Sequence, residues 1–132
     1  MKTELYLFPF EKLDVWQKAI ELADDILRLL EPLPLNRHTR LIAQLEGAVA
    51  SISQNIAEGK GRQHKKEFLQ YLAIAQGSLY ETISLCELFR RRAIFSPEHF
   101  ISIRSKATFI DRKLHGLMNS IRGIGRGERS KR

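Results

Sequence analysis

Lys60, Arg62, Lys65 and Lys66 crowd into one short stretch of the sequence, a density of cations that can neutralise successive phosphates of a nucleic acid. A second set lies further on. Arg104, Thr108, Arg112, His115, Asn119 and Arg122 recur at helical spacing on one polar face, and the charge continues through Arg126, Arg129, Lys131 and Arg132. A basic face that runs into a flexible basic arm gathers phosphate contacts and releases counterions as it does so. Arg37 and Arg40 should meet Arg90, Arg91 and Arg92 at the other end of an up-down bundle. Those last three also complement the dipole of a helix C-terminus, which explains them without a partner. A solvated surface accounts for a charge run equally well. Nothing indicates base-specific contact, and Tyr71 and Tyr80 read as core or interface residues.

Other chemistries lack their residues. Di-metal sites in helical bundles need inward glutamates and Glu-x-x-His pairs, and no Glu-x-x-His occurs. His38, His64, His99 and His115 are scattered, so no metal site is expected. Gly59-Lys60-Gly61 is too short to cradle a phosphate alone, and Ser51, Ser53 and Ser78 have no histidine at a telling spacing. Cys86, between Leu85 and Glu87-Leu88, reads as a small buried hydrophobe. The sequence therefore predicts no enzyme, no cofactor and no small-molecule substrate.

The elements that position these cations are helices. Of 132 residues, only four are proline and eight glycine, while 43% are hydrophobic and 28% charged. Apolar residues at alternating spacings of three and four mark four amphipathic segments. The first runs from Leu13 to Glu31, with Trp16, Ile20, Ala23, Leu27 and Leu30 as its stripe, and ends at Pro32 and Pro34. The second follows an N-cap at Asn36 and turns Ile42, Leu45, Val49, Ile52 and Ile56 inward. Gly59 should end it in the left-handed C-cap conformation. The third spans Gln63 to Ala93 with Phe68, Leu72, Ala75, Leu79, Ile83, Cys86 and Phe89 inward, and a mid-helix Gly77 that a close helix contact would explain. The fourth opens at Ser96-Pro97-Glu98 and repeats Phe100, Ile103, Ala107, Ile110, Leu114, Leu117 and Ile121.

Short links force sequential helices antiparallel, so the fold class is an all-α, up-down-up-down four-helix bundle over residues 13–122. Residues 1–12 read as an extended segment whose Leu5, Leu7, Phe8 and Phe10 cover a groove, and residues 123–132 as a basic disordered tail. Ala43, Gly47, Ala50 and Ala57 make a second, small-residue face on the second helix. That face is either part of a wide core stripe or a subunit interface. Asn55, Glu58 and Arg62 flank Gly59 at the turn, where a carboxylate and a guanidinium can tie two helices together.

Net charge is +7, unevenly spread. Residues 1–35 set Lys2, Lys12, Lys18 and Arg28 against Glu4, Glu11, Asp14, Glu21, Asp24, Asp25 and Glu31, a net −3 that leaves +10 for the remainder. Such asymmetry suits an acidic partner, either nucleic acid or the acidic face of a neighbouring subunit. With one cysteine, no signal-peptide pattern and nothing near the ~20 apolar residues of a membrane span, a cytoplasmic protein without membrane contact is expected.

The run Ser51-Ile52-Ser53-Gln54-Asn55-Ile56-Ala57-Glu58-Gly59-Lys60-Gly61-Arg62 resembles the S-I-x-x-N-I-A-E-G-x-G-R signature of the four-helix bundle proteins encoded in intervening sequences of bacterial 23S rRNA genes. Leu13-Asp14-Val15-Trp16-Gln17-Lys18-Ala19 is similar to that family's L-x-V-W-x-K-A, and Gln44-Leu45 to the start of its second-helix motif. Glu67 to Glu81 resembles E-F-L-x-[FY]-L-x-I-A-x-G-S-L-x-E. The resemblance, over residues 10–122, implies a homopentamer with a central opening. It also implies a link to the accessory variability protein of diversity-generating retroelements, which binds a reverse transcriptase and its RNA through basic surfaces. The chain departs at Glu46-Gly47, where many relatives carry two arginines.

Two functions are compatible with these features. One is a homo-oligomeric accessory that binds RNA, DNA or a nucleoprotein partner through basic surfaces. The other is a protein-interaction scaffold without direct nucleic-acid binding.

Overall fold

Ser96 starts the last helix as its chemistry requires. Its Oγ accepts a hydrogen bond from the His99 amide at 3.1 Å, and Pro97 takes the first position, where no amide hydrogen is needed. The computed structural model describes residues 4–124. They form α1 (Asp14–Leu30), α2 (Thr39–Lys60), α3 (Lys65–Arg91) and α4 (Pro97–Ile121), with a 3-10 turn over Pro9–Lys12 leading into α1 and no strand among the described residues. The predicted tail falls mostly on residues 125–132, outside the described residues.

Each helix packs against two others: α1 on α2 and α4, α3 on α2 and α4, with no diagonal contact among the described residues. Paired side chains give the directions. Between α2 and α3, Ser51 meets Ser78 and Gln44 meets Glu81, so the sequence numbers run oppositely. Between α3 and α4, Gln76 meets His115 and Tyr80 meets Asp111. Between α4 and α1, Lys113 meets Asp14 and Lys106 meets Asp25. Three antiparallel neighbours make α1 antiparallel to α2 as well. The course is up-down-up-down.

Burial follows the predicted stripes closely on α2, α3 and α4, with Leu45, Val49, Ile52, Ile56, Leu72, Ala75, Leu79, Cys86, Phe89, Ile103, Ile110 and Leu114 in one core. Phe95, in the link before α4, caps it against Phe89 at 5.2 Å between ring centroids. Cys86 is fully buried, and desolvation pushes its thiol up to about 12, which leaves it unreactive.

Four local expectations are corrected. On α1 the buried set is Val15, Ala19, Leu22, Ala23, Ile26 and Leu30, while Ile20 and Leu27 are exposed. Both stripes have helical spacing; with the observed set buried, Asp14, Glu21 and Asp25 lie where they pair with Lys113 and Lys106 of α4. The start of α2 is His38, held at φ 53, not Asn36. The Pro32–Pro34 segment cannot reverse within itself, so a turn from Pro34 to Arg37 intervenes before the helix begins. Gly59 lies inside α2, and Gly61 follows its end in right-handed geometry. Among the described residues no atom outside the helix's own backbone lies within 4 Å of the place a Cβ on Gly77 would occupy, so no close contact among them explains it.

Candidate nucleic-acid interface

The topology places the end of α2, the start of α3, the start of α1 and the end of α4 at one end of the bundle. Lys60 closes α2, Lys65 and Lys66 open α3, and Arg122 follows α4; all four are exposed and make no ion pair among the described residues. Lys65 and Lys66 sit in the first turn of a helix, where the macrodipole is positive and a cation is disfavoured. Folding alone does not call for them there.

Arg62 behaves differently. Its guanidinium donates to Glu58 Oε2 at 3.1 Å and to the Tyr71 hydroxyl at 2.6 Å, and lies 4.7 Å from the Tyr71 ring centroid. The bond to Glu58 raises its pKa above the ordinary value, with Tyr71 adding to the effect. Arg62 thus clasps the turn to α3. Gly59 permits the clasp, because a Cβ there would fall 2.8 Å from Tyr71 Cβ and 3.0 Å from a Phe68 ring carbon. Asn55 works one turn earlier. Its Nδ2 donates to the Ser51 carbonyl at 2.8 Å and Ser51 Oγ at 2.9 Å, and Ser51 Oγ meets Ser78 Oγ at 2.8 Å across to α3.

Along α4, Arg104 and Arg112 are exposed and lack an acidic partner among the described residues. Their stripe is partly occupied: Thr108 bonds its own helix and His115 meets Gln76 at 3.1 Å. Beside it, a groove of about 400 Å³ is lined by Leu79, Tyr80, Ile83, Ser84, Arg104, Ala107, Thr108 and Asp111. Tyr80 donates to Asp111 at 2.9 Å, and that bond raises its pKa. No serine there has a histidine base. Arg126, Arg129, Lys131 and Arg132 lie outside the described residues.

The opposite end is basic too, and Arg37, Arg40 and Arg92 there are exposed and make no ion pair among the described residues. Arg90 and Arg91 both bond Glu87, and those hydrogen bonds lower its carboxyl to about 2. On α1, every carboxylate has a cation: Asp14 with Lys113, Glu21 with Lys18 and Lys106, Asp24 with Arg28, Asp25 with Lys106. The carboxylates of α1 are thereby paired within the chain, while Glu11 and Glu31 beside it make no ion pair among the described residues. Among the described residues, no three of His, Cys, Asp or Glu gather as metal ligands, and no helix is long and apolar enough to cross a membrane.

Of the second face of α2, Ala43 and Gly47 are exposed, Ala50 and Ala57 half-buried. A Cβ on Gly47 would touch nothing among the described residues beyond its own helix.

One feature escapes the helical patterns. Leu5, Tyr6, Leu7 and Phe8 cover no groove; they are 80%, 76%, 50% and 57% exposed. Their rings form a ladder: Tyr6 edge-on to Phe8 at 5.4 Å, Phe8 parallel to Phe10 at 6.1 Å, Phe10 against Trp16 at 5.0 Å. The alternation of aromatics at positions 6, 8 and 10 is the signal for it, since extended chain puts every second side chain on one face.

The family model described as 23S rRNA-intervening sequence protein matches residues 11–116. A crystal structure of a protein with unknown function from the S23 ribosomal protein family of Bacteroides thetaiotaomicron VPI-5482 is similar, with a TM-score of 0.72 and 28% identity over 79% of this chain and 97% of that one. No curated protein matches.

Proposed function

This chain belongs to the 23S rRNA-intervening sequence protein family, and from that premise we propose that it is a non-enzymatic, homo-oligomeric cytoplasmic accessory that binds RNA through a basic end, alone or in a nucleoprotein such as a reverse transcriptase complex. The observation that carries the proposal is the gathering of Lys60, Lys65, Lys66 and Arg122 at one end without acidic partners among the described residues. Two of these stand at a helix start, against the dipole. Arg104 and Arg112 extend the surface along α4. The scaffold reading needs an acidic protein partner, and the first helix, its nearest candidate in a second copy, already has all its carboxylates paired.

Salt tests the proposal. Four phosphate contacts should cost RNA affinity roughly 50-fold between about 50 and about 200 mM salt, measured by fluorescence anisotropy. Binding with no salt slope, or none at low salt, would count against it.

Assembly belongs to the same proposal, with Ala43, Gly47, Ala50 and Ala57 facing a second copy in a pentamer. Gly47→Ala discriminates. On an isolated helix it raises stability by about 0.5–1 kcal/mol. Between close-packed helices the added methyl should instead lower the native mass toward that of one chain. Native mass spectrometry reads the difference, and an unchanged mass with higher stability would refute this interface.

A further inference from the structure

We infer that the aromatic ladder and the neighbouring lysines form one platform for single-stranded RNA, with bases stacking on Tyr6 and Phe8 and phosphates against Lys60, Lys65 and Lys66. The inference deepens the RNA-binding reading and rests on it. The Pro9–Lys12 turn packs on both α1 and α2. Because those helices are antiparallel, the start of α1 adjoins the end of α2, so the turn that carries the ladder shares one end of the bundle with Lys60, Lys65 and Lys66.

The ladder is held, not trailing. Phe8 N donates to Glu11 Oε1 at 2.9 Å, Glu11 N returns a bond to the Phe8 carbonyl at 3.0 Å, and Gln17 Nε2 grips the Glu11 carbonyl at 2.7 Å. Pro9 stiffens the same junction. A pre-ordered ring loses little freedom when a base settles on it.

Exposure and a ring free of intrachain cations separate this pair from every other described aromatic except Tyr80, whose hydroxyl is tied to Asp111. Phe68, Tyr71, Phe100 and Phe109 each carry a cation of this chain over the ring. Tyr6 and Phe8 carry none among the described residues and are more than half exposed. Aromatic faces beside a basic groove are how proteins hold unpaired strands. In a duplex the bases are stacked on each other and offer no face, so these rings favour the single strand. The cations also separate RNA from a protein partner: a second copy covering Leu5 and Leu7 would leave Lys60, Lys65 and Lys66 without a counter-charge.

The test uses the full chain with two labelled probes, a single-stranded ribo-oligonucleotide and a hairpin duplex of equal charge. The Tyr6→Leu/Phe8→Leu double variant keeps apolar bulk and removes both π faces. Single-strand affinity should fall about tenfold while the hairpin changes less than about twofold. Phe8→Trp should keep the affinity. An unchanged single-strand affinity, or equal losses on both probes, overturns the platform while leaving RNA binding intact. A shift in native mass of the double variant overturns it too, making the ladder a strap between copies. Failure of the unaltered protein to bind either probe instead removes the RNA-binding reading itself.

Discussion

Changing Lys60, Lys65 and Lys66 together to glutamate lowers RNA affinity about a hundredfold near physiological salt, through three lost phosphate contacts and added repulsion. The same change should alter the stability of the fold little, because the loss at Lys60, which closes α2 and lies over the Phe68 ring, is offset at the start of α3. All three side chains are exposed and make no ion pair among the described residues. Two of the new carboxylates would sit in the first turn of α3, where each gains about 0.3–1 kcal/mol from the helix dipole. Affinity therefore falls while stability stays nearly level. Urea denaturation beside anisotropy reads both, and an unaltered affinity in a well-folded variant would defeat the proposed site.

Gly59→Val is the second large effect, and it falls on the fold. A Cβ at this position lies 2.8 Å from Tyr71 Cβ, an atom fixed to its own backbone, and 3.0 Å from the Phe68 ring. Neither can step aside without parting α2 from α3. Overpacking of this kind costs about 3 kcal/mol, at the upper end of its usual range, and valine adds branches to the clash. Chemical denaturation should show a lower midpoint with little change in slope. A midpoint equal to that of the unaltered protein would mean that the helices do not approach so closely.

These two positions also mark what the sequence made legible. The basic stretch needed no structure to find, because charge density is a property of composition. The helix count, the antiparallel order and most of the core came from spacing, as Ile52, Leu72, Ala75 and Leu114 attest. Ser96-Pro97-Glu98 gave the start of α4 because capping chemistry is local. The requirement for Gly59 was legible as importance but not as cause. A turn glycine and a packing glycine look alike in one dimension, and only the place of Tyr71 tells them apart.

The misses share a source. Ile20 and Leu27 match helical spacing as well as Ala19 and Ile26 do, and spacing alone does not say which set faces the core. His38 takes up a left-handed conformation that its residue type does not announce. Arg62 looked equally fit for phosphate and for architecture, and its partner Tyr71 is nine positions away on another helix. Tyr6 and Phe8 fell outside every helical pattern, and only their spacing of two marked a shared feature.

The up-down-up-down course has a practical bearing on handling the molecule. The start of α1 and the end of α4 both lie at the end where the lysines gather, so a dye attached beside either would crowd the very surface under study. The link between α1 and α2 is at the far pole, and Leu35 there is 93% exposed. A dye or tether attached at Leu35 would report on the particle while leaving its cationic pole uncovered.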